Sequence, residues 1–116
     1  MSTSAAHYAA FYIEAREGGE VWTVRDAGGF PAPETGTGAR AMPFWSKRSR
    51  VERVVANASA YAGFDIASIP LAEFRTRWLP GLERDGLLVG INWSGERAVG
   101  YDVAPTAVQQ TLGASG

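Results

Sequence analysis

The chain has 116 residues, of which 46% are hydrophobic, and its 11 basic and 12 acidic side chains leave a net charge of -1. This size indicates one globular domain, and the balanced charge excludes a polycation that would bind nucleic acid or a membrane along its whole surface. The sequence contains no cysteine, which excludes disulfides, thiolate metal sites and cysteine nucleophiles. The N-terminus lacks a basic segment before its apolar stretch, so we predict no signal peptide, no membrane span and a cytoplasmic protein.

The first residues predict a helix followed by a strand. Ser4 is suited to cap a helix that runs to about Glu17, and two glycines end it. Helical spacing predicts that one stripe of this helix faces the core, namely Tyr8, Phe11, Tyr12 and Ala15. The stretch EVWTVRD, residues 20–26, alternates between apolar and polar positions and predicts a half-buried strand.

The next segment predicts turns and short extended pieces. DAGG, residues 26–29, is a turn, after which Phe30 begins a short strand that two prolines confine to a sheet edge. Residues 33–40 predict a flexible loop, and AMPFW, residues 41–45, predicts a third extended segment weakened by Pro43.

Two helices are predicted in the middle of the chain. Either Ser46 or Ser49 caps the first, and its predicted inward face consists of Val51, Val54, Val55, Ala58 and Ala62. Ser68 is predicted to cap the second helix, whose buried stripe would be Leu71, Phe74 and Trp78. Pro80 cannot continue a regular helix, so the following PGLERDG predicts a separate short turn.

The last third of the chain predicts a hairpin and a helix. LLVGINW, residues 87–93, and RAVGYDV, residues 97–103, are strands joined by a tight turn in which Gly95 supplies a positive φ. Alternation places Leu87, Val89, Ile91 and Trp93 on one side, matched by Val99, Tyr101 and Val103. Pro105 then opens a short helix with Val108 and Leu112 inward.

Together these elements predict an α+β fold. We expect a single small domain over residues 5–112, with a mainly antiparallel sheet of about five short strands and helices packed on it. Residues 1–4 are expected to be disordered and residues 113–116 to be frayed.

The sequence offers little for catalysis or cofactor binding. GTGARA, residues 36–41, matches a phosphate-loop pattern, but neither a strong strand nor a helix flanks it. His7 is the only histidine, and we interpret it as a helix-face residue because no nucleophile or carboxylate converges on it in the sequence. We therefore predict no catalytic residue, no metal site and no cofactor.

The four tryptophans divide into two predicted pairs. Trp22 and Trp78 lie in apolar patterns and are predicted to be core residues. Trp45 and Trp93 end strands beside polar residues, which is typical of half-exposed rings that anchor an interface.

The stretch PFWSKRSRVERV, residues 43–54, gathers cations at the start of a predicted helix. The helix N-terminus is already positive, so a helix selected for stability alone would carry acids there. The alternative without a functional role is that these cations are exposed and screened, so that they lower the stability of the helix only slightly. The functional hypothesis is a corner that binds an anion, and its predicted binding residues are Trp45, Ser46, Lys47, Arg48, Arg50 and Trp93.

Several separated motifs resemble one family. MPFWSKRSRVERV, YAGFDIASIPLAEFRTRWLPGLERDGLLVGINWSG and the upstream EVWTVRD are similar to the uncharacterised bacterial family catalogued as domain of unknown function 2750, over about residues 8–112. The resemblance implies a small bacterial α+β domain with no catalytic residue to carry over. Its size and composition are like those of immunity-like or accessory binding proteins, which is an analogy only.

Two classes of function stay open. The first is a protein-binding module that contacts an acidic partner or a small anion. The second is a small-ligand-binding domain or minor enzyme with a site near Trp45 and Trp93. The scarcity of histidine and cysteine favours binding over catalysis. We expect no membrane partner and no nucleic acid, and a homodimer stays open.

Overall fold

The computed structural model describes residues 3–113, with the side chain of Thr3 left aside. The predicted disorder of residues 1–4 and fraying of residues 113–116 fall mostly outside this range.

In residues 3–113, four helices and five strands form one α+β domain, which confirms the predicted class. In chain order they are α1 (Thr3–Gly18), β1 (Glu20–Arg25), β2 (Ala41–Phe44), α2 (Arg48–Asn57), β3 (Asp65–Pro70), α3 (residues 71–84), β4 (Leu88–Ser94), β5 (Val99–Val103) and α4 (Pro105–Gly113).

The strands form two sheets, and one of these is mixed rather than purely antiparallel. β1 pairs with β3 antiparallel, whereas β4 lies between a parallel neighbour, β2, and an antiparallel one, β5. A parallel pair needs a long connection, and here α2, β3 and α3 lie between β2 and β4. Trp22 and Trp45 join the sheets by exchanging backbone hydrogen bonds of 2.7 and 2.8 Å.

Two predictions are wrong, namely the strand expected at Phe30 and the helix cap expected at Ser68. Phe30 does not begin a strand, and the remaining strand is instead residues 65–70, which pair with β1 over six positions. Ser68 lies inside that strand opposite Trp22 and caps no helix. Leu71 is the first residue of α3, and its backbone N–H donates to Gly19 O at 2.9 Å. A long-range strand pairing here overrides a local capping signal.

The helix α3 continues through Pro80, so the predicted break there is also wrong. Residues Phe74–Trp78 form a π-helical turn, and the N–H of Leu79 donates to Phe74 O. The wider turn restarts the helix at Leu79, which places Pro80 in the first turn of the segment Leu79–Arg84. A missing N–H is tolerated in that position.

The predicted buried stripes of α1 and α4 are confirmed. Phe11, Ala15, Val108 and Leu112 are buried in a first core cluster together with Val89 and Ile91 of β4. Gly95 has the predicted positive φ, 83°. Two hairpin residues expected to match the buried side of β4 are instead largely exposed, Val99 at 59% and Tyr101 at 42%.

A bulge at Asn92 divides β4 between two cores. Ile91 pairs with Tyr101 and Ser94 with Val99, so Asn92 and Trp93 together oppose the single residue Gly100. Asn92 has φ 45°. The extra residue turns Trp93 away from Val89 and Ile91 into a second cluster that includes Trp45 and Val54. The predicted shared face of Val89, Ile91 and Trp93 is therefore wrong.

Two glycines make room for the Trp93 indole on this second face. A Cβ at Gly90 would lie 2.7 Å from Trp93 Nε1, and one at Gly100 would lie 3.0 Å from its Cδ1. Because the indole is 5% exposed and its N–H is bonded to Asp102, the ring has little freedom to move aside.

We predict that Gly90→Ala destabilises the domain by about 2 kcal/mol, since an added methyl group would overlap the buried indole. Urea unfolding of both proteins measures the difference. The control is Gly36→Ala, where an added Cβ meets nothing within 4 Å and φ is not positive. Equal stability of the two variants would contradict the seating of Trp93 on Gly90.

Candidate functional site

The two tryptophans predicted as exposed anchors are buried. Trp45 is 0% and Trp93 is 5% exposed, whereas Trp22 and Trp78, the predicted core pair, are only half-buried. The Trp45 Nε1–H donates to Trp93 O at 2.8 Å, and the Trp93 Nε1–H donates to Asp102 Oδ1 at 2.9 Å. Trp45 directly follows β2 and Trp93 lies one residue before the end of β4. The N–H groups of both rings bond partners inside the fold, so neither ring is a flat external anchor.

Ser46 is also an internal residue. Its Oγ donates to Glu14 Oε1 at 2.7 Å, and its backbone N–H donates to Asn92 Oδ1 at 2.9 Å. The Asn92 Nδ2 in turn donates to Ser46 Oγ at 2.9 Å and to His7 O at 3.0 Å. The Asn92 amide therefore joins α1, the β2–α2 junction and the β4 bulge.

Arg50 completes this network from α2. Its Nε and Nη2 donate to the two carboxylate oxygens of Glu14 at 2.7 and 2.8 Å, in a two-pronged ion pair that is largely buried. These hydrogen bonds from Arg50, with a further one from Ser46, outweigh burial and lower the pKa of Glu14 from 4.5 to about 2. Arg50 therefore serves first as the counter-ion of Glu14.

The remaining predicted cations, Lys47 and Arg48, are exposed in a bay of mixed charge. Arg48 pairs with Glu52 at 3.3 Å, as ordinary helix neighbours do, and its guanidinium lies 5.6 Å from the centre of the Trp22 ring. The other residues that line this bay include Glu14, Glu17 and Glu20. The glutamates offset the cations, so the predicted anion corner is not an electropositive surface.

Neither predicted serine caps α2. Lys47 occupies the N-cap position and makes no side-chain capping bond. Ser49 lies within the helix, and Ser46 precedes the cap and donates to Glu14 instead. A local capping signal is again overridden by a distant partner.

A deeper cleft lies on the other side of Arg50. Its volume is about 360 Å³. We call it the His7 cleft, and it is lined by His7, Arg50, Arg53, Val54, Asn57, Asn92, Trp93, Ser94, Gly95 and Glu96. Arg53 is exposed, and in residues 3–113 it makes no salt bridge. The cleft thus combines an uncommitted guanidinium with the outer side of Arg50.

His7 is the most unusual side chain of this cleft. Its Nδ1 is buried and receives no hydrogen bond from the described residues. Burial lowers the pKa of His7 below 6.5, and the nearby positive charges of Arg50 and then Arg53 lower it further, against the opposing charge of Glu14. The imidazole is therefore neutral at neutral pH, and a bound anion would favour its protonation.

The donor groups that line the cleft suit the binding of an anion. Within the described range, no group of three histidine, aspartate or glutamate side chains is placed to hold a metal ion. The described helices also include none with both the length and the apolar composition that a bilayer crossing demands. Guanidinium groups, imidazole and amide N–H groups are donors that carboxylates and phosphates accept from.

Sequence reasoning found Arg50 and Trp93 of this cleft but missed His7, Arg53 and Asn92 as members. One signal was available, because Arg50 and Arg53 are three apart and therefore neighbours on one helix face. The pairing of His7 with that face depends on a contact between residues more than forty positions apart, which no local spacing reveals.

A family model for a protein of unknown function, DUF2750, matches residues 8–112. The chain belongs to this family. The predicted resemblance is therefore confirmed over nearly the whole domain. No curated protein matches the chain.

We predict that Glu14→Gln destabilises the domain by about 3 kcal/mol at neutral pH, because it leaves the guanidinium of Arg50 partly buried without its counter-ion. The folded pKa of Glu14 is about 2, below its ordinary 4.5, so the carboxylate stabilises the fold above about pH 4.5. That contribution is lost as the pH falls through 2. The difference in free energy of unfolding between the two proteins, which we call the gap, should therefore shrink as the pH falls.

Urea unfolding between pH 2 and 7 measures this gap, with Glu17→Gln on the exposed side of α1 as the matched control. The control should stay within about 0.5 kcal/mol of the original protein. A gap that does not change with pH would contradict the ion pair.

Proposed function

We propose that this DUF2750 domain is a binding module that receives an anionic group, a carboxylate or a phosphate, in the His7 cleft. The observation that carries the proposal is the convergence of Arg53, Arg50 and His7 on one cleft. The proposal keeps the anionic partner expected from the sequence and moves its site from the Lys47 and Arg48 bay to the His7 cleft, which Arg50 lines.

The charges of the cleft support an anion. Arg53 offers donors that no acidic side chain of the described chain occupies, and Glu96 is the one carboxylate among the lining residues. Arg50 is held rigidly by Glu14, which fixes the position of its outer edge. A guanidinium fixed in advance loses less conformational freedom when it binds.

The dimensions of the cleft support a small group rather than a large one. A volume of about 360 Å³ lies at the lower end of the range for small-molecule sites, about 300–1,000 Å³. It accommodates one small carboxylate or phosphate compound, or one acidic side chain of a protein partner. The first of these corresponds to the alternative of a ligand-binding site near Trp93, since Trp93 lines the cleft and Trp45 does not.

The role, source, location and oligomeric state expected from the sequence stay predictions. They are an immunity-like or accessory protein-binding role, a bacterial source, a cytoplasmic location and a homodimer left open. The anion-binding proposal depends on none of them, because it concerns only the chemistry of the cleft.

Titration calorimetry with sodium phosphate tests the proposal. We predict that Arg53→Ala weakens phosphate binding about tenfold or more, since a charge-assisted hydrogen bond is removed. The matched control is Arg48→Ala, which removes another exposed α2 arginine, one that lies in the bay of mixed charge. This control should bind phosphate within about twofold of the original protein.

Two further titrations identify the source of the anion, one with acetate and one with a peptide of eight glutamates. Tighter binding of the peptide than of acetate indicates an acidic protein partner, and the reverse indicates a small ligand. Equal losses in Arg53→Ala and Arg48→Ala, or no binding of phosphate, acetate or the peptide at millimolar concentration, would contradict the proposal.

A further inference from the structure

A second cleft lies beside the other edge of Trp93, between the hairpin and the loop after β1. Its volume is about 380 Å³. We call it the Asp102 cleft after the carboxylate in it. Most of its wall is apolar or small, and the lining side chains include Glu34, Tyr61, Trp93, Arg97, Val99 and Asp102.

The fold fixes the position of the Asp102 carboxylate. The glycines at 90 and 100 seat the Trp93 indole against the hairpin, and the indole N–H then donates to Asp102 Oδ1 at 2.9 Å. A buried ring thus holds the carboxylate in one orientation. Its second oxygen accepts no hydrogen bond from the residues that the structure describes.

Asp102 forms no ion pair with a basic side chain in residues 3–113. None of the salt bridges in residues 3–113 includes Asp102 or Glu34, although Arg97 lines the same cleft. Burial raises the pKa of Asp102, and the hydrogen bond from Trp93 opposes part of that rise. A carboxylate in apolar surroundings without a counter-ion is destabilised, and a bound cation would relieve this cost.

We propose that the Asp102 cleft binds an organic cation, an ammonium group carried on an apolar body. The carboxylate of Asp102 pairs with the ammonium, and Glu34 adds a second negative charge near the rim. The ring of Tyr61 and the side chain of Val99 contact the apolar body. This site is separate from the His7 cleft, and the two share Trp93 as a common wall.

The test is a titration of the full chain, labelled with ¹⁵N, with benzylammonium at neutral pH. The readout is the indole N–H signal of Trp93, which senses Asp102 directly because the two are hydrogen-bonded. We expect a saturable shift of that signal. Benzyl alcohol has the same ring without the charge, and we expect it to bind about tenfold more weakly.

The matched variants are Asp102→Asn and Asp65→Asn. Asparagine at 102 keeps an oxygen for the Trp93 N–H but removes the charge, so benzylammonium should bind about tenfold more weakly. Asp65 is exposed on β3 away from the cleft, and its variant should bind as the original protein does.

Three results would overturn the proposal. They are no saturable shift with benzylammonium at millimolar concentration, equal affinity for benzyl alcohol, and unchanged affinity in Asp102→Asn. The comparison of the two probes on the original protein stands even if Asp102→Asn folds poorly. Phosphate binding in the His7 cleft is measured independently, so failure of one site is distinguishable from failure of the other.

Discussion

The bulge at Asn92 is the constraint on which the rest of this structure depends. One extra residue in β4, with φ 45°, turns Trp93 onto a second face and leaves the Asn92 amide inside the domain. There the amide bonds the backbone and hydroxyl of Ser46 and the carbonyl of His7. A buried amide is costly unless its donors and acceptors are satisfied, and these bonds satisfy them by bringing α1, α2 and the hairpin together. The His7 cleft borders this junction, and the Asp102 cleft borders the adjacent Trp93.

Next to this junction, the arginines of α2 have three different environments. Glu14, held by Ser46, takes Arg50 into a buried ion pair, while Arg48 pairs with exposed Glu52 on another face. Arg53 is left without an acidic partner in residues 3–113 and lies in the cleft with His7. A cluster that reads as one basic patch in the sequence therefore becomes a structural counter-ion, an ordinary surface pair and a candidate binding group. The role of Arg50 is set by a distant partner, Glu14, whereas that of Arg48 follows from its helix neighbour Glu52.

The parts of the fold that sequence could predict are those set by local periodicity. The inward stripe of α1, including Phe11 and Ala15, and the positive φ of Gly95 follow from spacing and turn chemistry. The face of Trp93 could not be predicted by alternation, because a period of two assumes a regular strand and the bulge breaks it. Gly90 and Gly100 were a signal, since glycine within a strand often marks a bulge or a close approach. The Glu14–Arg50 pair spans 36 positions and left no local signal.

The most direct measurement is the titration of His7 by NMR, with and without phosphate. His7 is the only histidine, so its ring signals need no assignment among others. If the Asn92 junction places His7, Arg50 and Arg53 around one cleft, the pKa of His7 lies below 6.5 in the free protein, because burial and the arginines disfavour the imidazolium. Phosphate in the cleft should then raise that pKa. A pKa of 6.5 that phosphate leaves unchanged would contradict both the geometry of the cleft and its proposed ligand.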